Sequence, residues 1–464
     1  IGYVGFYPRG PTNDDEGLYL EQTQLWVETG SFRTEKLDPL TGETREFVPG
    51  DYPVGMIALM APFVSAVGWQ GGFVPSFLCL LVAVVFTAWW LRDEGRSPLF
   101  ALILLGFPAA LVAGRLAMSD AARTAATAVG LWLFFRGLDR GPGWWLASGF
   151  VAGSALTLRE SAVLPFIPFF AGTVLRWDRG WVWLLLGGLA GTGLHLGLNQ
   201  AAFGDPLFMR GAATPYHLAL DTVHERLPLY LLGLLVLVPG GLAFGLAYRG
   251  RRRPEVVLTI AFVFGFYLLQ SYGISASGFL KRLVVALRYF DPLLPILALA
   301  MAESVPRLLQ ALVGSHAVRE RWVARLAGLW VAGVLAVSFA VHPVLARWGA
   351  GQAAIREAIA RAVPIDAVLI TNGTALRKHV DDLARPYVTL HRNRISPEQL
   401  RALQERHESF WIAFLDRSDS AYWREDAAHN QAFIAALGDP PPQVDLRATA
   451  TDRLRIWAIG EAER

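Results

Sequence analysis

The densest run of acids near the start of the chain is Asn13-Asp14-Asp15-Glu16-Gly17-Leu18-Tyr19-Leu20. Asn13 with Glu16 three residues later fits a helix capping box, and Gly30 fits the stop of the same helix. Acids in a first turn also favour the helix dipole. A cap needs only Asn13 and Glu16, so three adjacent acids exceed what capping requires. Asp15 and Tyr19 are four residues apart and share a helix face. A helix start and a site that accepts a proton therefore both stand as readings of this run.

Other constellations are weaker. His217, Asp221 and His224 have spacings of four and three, so one helix face could carry them to a metal; a solvated loop helix is the commoner use of such a pattern. The single Cys79 lies in an apolar run, which excludes an intrachain disulfide and a multi-cysteine metal site. His195 and Asn199 sit one turn apart within apolar sequence, where an interhelical hydrogen bond is expected. Gly187, Gly191, Gly193 and Gly197 read as a surface for close helix packing.

The elements that must position these residues are apolar. Hydrophobic residues make up 53% of the 464 and charged residues 17%, against about 25% charged in ordinary soluble domains. Runs long enough to span a membrane lie at 73–91, 98–113, 121–135, 143–158, 161–175, 181–201, 228–247, 256–274, 284–303 and 326–345. Tryptophans such as Trp69, Trp89, Trp144 and Trp181 mark segment edges, as at headgroup level. The expected fold is a polytopic α-helical membrane protein of about ten spans. A net charge of +3 gives no basis for nucleic-acid binding.

Arginines alternate between two sets of loops. Fourteen fall in the loops around Arg92, Arg136, Arg176, Arg249 to Arg253 and Arg307 to Arg325; eight basic residues fall in the loops around Arg115, Arg159, Arg210 and Lys281. The richer set is assigned to the cytoplasm, which places Asp120 and Glu160 outside. The run from Tyr52 to Gly68 is 17 residues long and carries Pro53 and Pro62. It reads as interfacial or re-entrant, and residues 1–51 then lie on the same side as Asp120. After about Gly349 charges return and apolar runs shorten to strand length at Ala367 to Thr371, Tyr387 to Leu390, Phe410 to Leu415 and Leu454 to Ile459. A helical pattern from Pro397 to His407 lies between them, so this part reads as a small α/β domain. The expected organisation is an outer loop (1–70), a helical bundle (71–349) and an extracytoplasmic α/β domain (350–464).

Four short motifs occur in order: Asp15-Glu16-Gly17-Leu18-Tyr19, Asp51-Tyr52-Pro53-Val54-Gly55, Met118-Ser119-Asp120-Ala121, and Arg288-Tyr289 ahead of Pro292 and Pro295. Together they resemble the GT-C glycosyltransferases related to protein O-mannosyltransferases and aminoarabinose transferases. The resemblance implies a polyprenyl-phosphate sugar donor, an outer first loop with an acidic pair, interfacial helices, and a second acidic position in the next outer loop. It also implies a span ahead of the acidic loop, so a segment is expected before Ile1.

The chemistry of such a donor suits these residues. A sugar on a lipid phosphate has a good leaving group, so departure needs positive charge on the phosphate more than a proton donor. One carboxylate acting as base on the acceptor hydroxyl then suffices for an inverting displacement. Asp15 is the candidate base, with Asp14 as the alternative; Asp120, matched to the second acidic position, would orient the acceptor or assist a metal. Lys281, Arg282 and Arg288 are candidates for the phosphate, although snorkelling at the interface suits Lys281 and Arg282 better. Glu16, Tyr19, Tyr52, Arg159 and Tyr289 complete the expected substrate-binding set, with Arg159 also free to pair with Glu160. Expected partners are the lipid-linked sugar, membrane lipids and an acceptor glycan, lipid or protein. Any cofactor, a divalent metal included, is left open. The rival readings are a secondary transporter, disfavoured because no internal repeat is visible and the acids cluster in loops on one side, and a non-catalytic lipid-binding or assembly protein.

Overall fold

The computed structural model describes residues 2–12, 14–48, 52–208, 220–221, 223–270, 286–312, 316–372, 387–389, 397–407, 409–417, 421–448 and 452–460. Asn13, Asp51, His217, Lys281 and Arg282 lie outside the described residues.

Helix α1, Asp14–Thr29, stops at Gly30, which adopts φ +69° while its N–H donates to Trp26 O at 2.8 Å. That left-handed stop costs a glycine nothing sterically. A short antiparallel hairpin, β1 (Thr34–Leu37) with β2 (Thr44–Phe47), follows. Helix α2, Val54–Val67, packs Ile57, Met60 and Val64 among the same apolar cluster as Tyr19 and Leu20 of α1. Its 14 residues reach about 21 Å, short of a hydrocarbon core of roughly 30 Å.

Among the described residues, four helical stretches are long and apolar enough to cross a membrane: Trp69–Asp93, Trp181–Phe203, Arg288–Ala311 and Val331–Ala362. Four continuous helices do not confirm the expected count of about ten spans, because several of the expected runs are broken. Proline is the main reason. Phe107, ahead of Pro108, is extended at φ −83° and ψ 116°, and splits 98–113 into a 3-10 turn and two short helices. The run 161–175 opens in a 3-10 turn at Glu160–Val163 and becomes α-helical only over Ile167–Leu175, and 228–247 is interrupted by a π-turn at Gly233–Leu237 and by extended Val238 before Pro239. Helix α4, Asp120–Arg140, is long but carries charges at both ends; the preceding long helix, α3, is Val74–Asp93.

Helices α5 (Pro142–Ser154) and α7 (Trp181–Phe203) make the closest helix pair, with α6 (Ile167–Leu175) between them in sequence. A β-carbon on Gly149 or Gly153 would strike the carbonyls of Leu184 or Gly188, and one on Gly187 or Gly191 would strike those of Leu146 or Phe150. The contact is backbone to backbone and admits only glycine. Gly193 and Gly197, expected to share this role, have nothing within 4 Å of an added β-carbon; they face away from α5. The expected interhelical bond of His195 and Asn199 is also corrected. Asn199 Nδ2 lies 3.2 Å from His195 Nε2 of its own helix and donates to Phe208 O at 3.0 Å in the segment that follows.

The described loops of the arginine-rich set gather at one end of the bundle. There Asp93 pairs with Arg136 at 2.7 Å, Arg251 with Asp139 at 2.9 Å and Glu94 at 3.4 Å, and Arg252 with Asp178. Helices α8 (Val223–Leu232), α9 (Arg253–Leu269) and α10 (Leu294–Leu312) complete the bundle.

The last long helix, α11 (His316–Ala362), runs through position 349 without a break. Its end enters the carboxy-terminal domain, where Ile355 and Ile359 pack against one face of a five-stranded sheet. The strands are β3 (Leu369–Thr371), β4 (Tyr387–Thr389), β5 (Ser409–Arg417), β6 (Val444–Arg447) and β7 (Asp452–Gly460), in the order β4-β3-β5-β7-β6. Strand β3 runs parallel to β4 and β5, and the other pairs are antiparallel. Helices α12 (Pro397–Arg406) and α13 (Ala421–Ala436) cover the second face through Leu403 and Ile434. The domain grips the first hairpin: Arg406 donates to Leu40 O, and His407 Nε2 lies 3.2 Å from Pro39 O.

Candidate active site

Helix α1 is bolted to the turn before α4 by Glu16. Its Oε2 accepts from the backbone N–H and the hydroxyl of Thr12, both at 2.6 Å, and its Oε1 accepts from Ala117 N at 3.0 Å. Glu16 is fully buried, so these bonds meet a carboxylate that water does not reach. Tyr19, one turn on, stacks its ring 4.1 Å from that of Tyr52 and donates its hydroxyl to Ser119 Oγ at 3.4 Å. Arg115, in the same turn, contacts His342 of α11 at 3.1 Å; burial pushes its guanidinium down from the ordinary arginine range, with Tyr3 and Glu16 acting in the opposite direction.

These contacts leave Asp15 at the meeting point of the motifs. The Tyr52 hydroxyl donates to Asp15 Oδ1 at 2.6 Å, and Arg288 Nη2 stands 3.8 Å from Asp15 Oδ2. The Asp15 side chain keeps 33% of its surface exposed while Arg288 keeps 13%, so the acid is the more accessible of the two. Arg288 Nη1 lies 3.6 Å from Met118 Sδ, and its guanidinium is 5.3 Å from the centre of the Tyr289 ring. Arg159, itself buried, stands 5.7 Å from the same ring. Residues from all four motifs thus meet within one cluster. Asp14 opens helix α1, and its side chain lies outside the described set.

Asp120 is the acid expected to orient an acceptor or assist a metal. It is fully buried and ion-paired to Arg123, also fully buried, one turn along α4. Arg123 in turn donates to Tyr267 Oη at 3.1 Å and Ser161 Oγ at 3.4 Å. An acid whose charge is met by an arginine, with Arg159 and Arg288 close enough to act on it, is a poor ligand for a dication. Among the described residues no group of three or more His, Cys, Asp or Glu could hold a metal ion. Asp221 and His224 are exposed, and His217 lies outside the described residues.

Sequence reasoning missed Arg123, Tyr267 and Asp291. Asp291 is buried, and neither of its oxygens has a hydrogen-bond partner among the described residues. An acid between Phe290 and Pro292 in an apolar run was the available signal.

Residues 56–198 match the model of the dolichyl-phosphate-mannose-protein mannosyltransferase family. That stretch includes Ser119 and Asp120 and leaves Asp15 and Arg288 outside it. Among solved structures, ArnT from Cupriavidus metallidurans in the apo state is similar over 99% of this chain and 96% of its own, with a TM-score of 0.63 at 16% identity. The chain has the ArnT fold. The resemblance to GT-C glycosyltransferases read from the four motifs stands on both comparisons. No curated protein sequence matches significantly.

Proposed function

We propose that this chain is an inverting glycosyltransferase that moves a sugar from a polyprenyl-phosphate donor to an acceptor hydroxyl at the outer face of the cytoplasmic membrane. The observation that carries this is the placement of Asp15 between the Tyr52 hydroxyl and the Arg288 guanidinium. Support for the side of the membrane comes from the arginine-rich loops gathered at the opposite end of the bundle.

The donor phosphate competes with Asp15 for Arg288, because a phosphate takes a guanidinium in bidentate fashion. Once the guanidinium turns to the phosphate, the Asp15 carboxylate is released to the acceptor while Tyr52 holds its orientation. The acceptor oxygen attacks the first carbon of the sugar, the bond from that carbon to the phosphate oxygen breaks, and the electron pair leaves with the phosphate. The acceptor proton passes to Asp15. Asp120 takes no part in these transfers; it holds Arg123 and through it the packing of α4 on α9.

Asp15→Asn tests the assignment, since an amide of the same shape takes no proton. Transfer should be abolished with donor affinity within a few-fold of wild type, because the lost interaction belongs to the transition state. Asp14→Asn should be milder. A dead Asp14→Asn beside an active Asp15→Asn exchanges the two roles. Full activity in both single variants and the double variant refutes the mechanism.

A further inference from the structure

At the end of the bundle away from Asp15 lies a cavity of about 830 Å³. Helix α4 separates the two places: it begins at Asp120 in the candidate active site and ends 20 residues later at Arg140, about 30 Å along its axis. The cavity wall carries four guanidinium groups, from Arg176, Arg179, Arg251 and Arg252, and one carboxylate, Asp178. Trp145 and Trp183 form its aromatic side. Trp183 is 41% exposed, as a ring at headgroup level would be.

Three of the arginines are already oriented by acids. Arg176 pairs with the buried Glu255, Arg252 with Asp178 and Glu255, and Arg251 with Asp139 and Glu94. Each guanidinium has five N–H donors, so these pairs fix the groups in place and leave donors over. Arg179 is exposed and, among the described residues, pairs with no acid. Helices α5, α7 and α9 all begin at this wall, next to Gly141, Gly180 and Arg252, which adds the positive ends of three helix dipoles.

We infer that this cavity binds a phosphate group, either on the headgroup of an anionic lipid or as a free phosphate or diphosphate. Oriented guanidinium groups match the oxygens of a phosphate bidentately. The site is separate from the proposed transfer site and does not depend on that reading.

The test uses the full chain in detergent and native mass spectrometry with phosphatidylglycerol, with phosphatidylcholine, whose phosphate is offset by its own ammonium group, as the control of zero net charge. A parallel titration with inorganic phosphate and diphosphate is read by thermal unfolding. Arg179→Gln is the main variant because it breaks no ion pair among the described residues, Arg176→Gln/Arg179→Gln is the stronger one, and Arg92→Gln is an exposed arginine at the same end outside the cavity. Retention of phosphatidylglycerol that falls at least fivefold in the Arg179 variants and is unchanged in Arg92→Gln supports a lipid headgroup. Stabilisation by phosphate or diphosphate alone, lost in the same variants, supports a free anion. Absence of both kinds of binding, equal loss in Arg92→Gln, or wild-type binding in Arg179→Gln and in a folded double variant overturns the proposal.

Discussion

Asp120→Asn tests whether the second acid works on reactants or on the fold. The change keeps the shape of the side chain and removes one charge. Arg123 stays behind with none of its surface exposed, held by two neutral partners, Tyr267 and Ser161. Removing one member of a buried ion pair costs about 3–5 kcal/mol, because the survivor is an uncompensated charge. The two hydrogen bonds to Arg123 persist, which favours the lower end, about 3 kcal/mol. That corresponds to roughly a hundredfold in the folded-to-unfolded ratio.

The assay is the folded fraction of detergent-purified protein after timed heating, measured by size exclusion. Asp120→Asn should be lost much faster than wild type, and Arg123→Gln likewise. The double variant should recover most of the loss, since it leaves neither charge buried alone. An Asp120→Asn protein that survives heating like wild type yet transfers no sugar would refute this reasoning and return Asp120 to the chemistry.

Tyr52→Phe removes a hydrogen bond to a partly exposed carboxylate, at a cost near the low end of about 1.5–3 kcal/mol; steady-state transfer should fall roughly tenfold, and an unchanged rate would detach Tyr52 from the site. Gly187→Ala should destabilise the bundle by about 1–3 kcal/mol through backbone collision with α5, whereas Gly193→Ala should be neutral or slightly stabilising; equal effects in thermal unfolding would contradict the packing described. On a Cys79→Ala background, an outside reagent should label cysteines introduced near Pro11 and Asp381 but not near Arg251, and the reverse pattern would invert the proposed orientation.

What the sequence revealed and what it hid divide along a physical line. The stop of α1 at Gly30 and the start of α12 at Pro397 are set by residues within one turn of the boundary, so local spacing suffices to find them. Strands β5 and β7 were visible as short apolar runs, whereas β6, Val444–Arg447, alternates half-buried and exposed residues and gave no such run. Hydropathy measures apolar length and not backbone continuity, so it does not show where a run breaks. The runs at 98–113 and 161–175 are apolar enough to stay within a bundle, and their breaks are tolerated where neighbouring protein covers the freed backbone groups. Pair contacts over long separations were beyond local reading: nothing in the sequence couples Glu16 to Ala117, or Arg123 to Tyr267.

The acidic run at the start of the chain shows the same division within three residues. Its two readings, a helix start and a proton-accepting site, compete as long as the acids are treated as one cluster. Glu16 turns back to Thr12 and inward to Ala117, where burial makes each of its bonds part of the fold. Asp15 precedes it by one residue, which rotates the side chain about 100° around the helix axis and turns it from the buried turn toward Tyr52 and Arg288, where it is partly exposed. Glu16 fixes the helix, and the Tyr52 hydroxyl orients the Asp15 carboxylate on it. A carboxylate that is positioned by its neighbour, partly exposed, and bonded to a hydroxyl and a guanidinium that phosphate can draw away is suited to accept a proton. The helix-start reading and the catalytic proposal therefore belong to different residues, and the first makes the second physically workable.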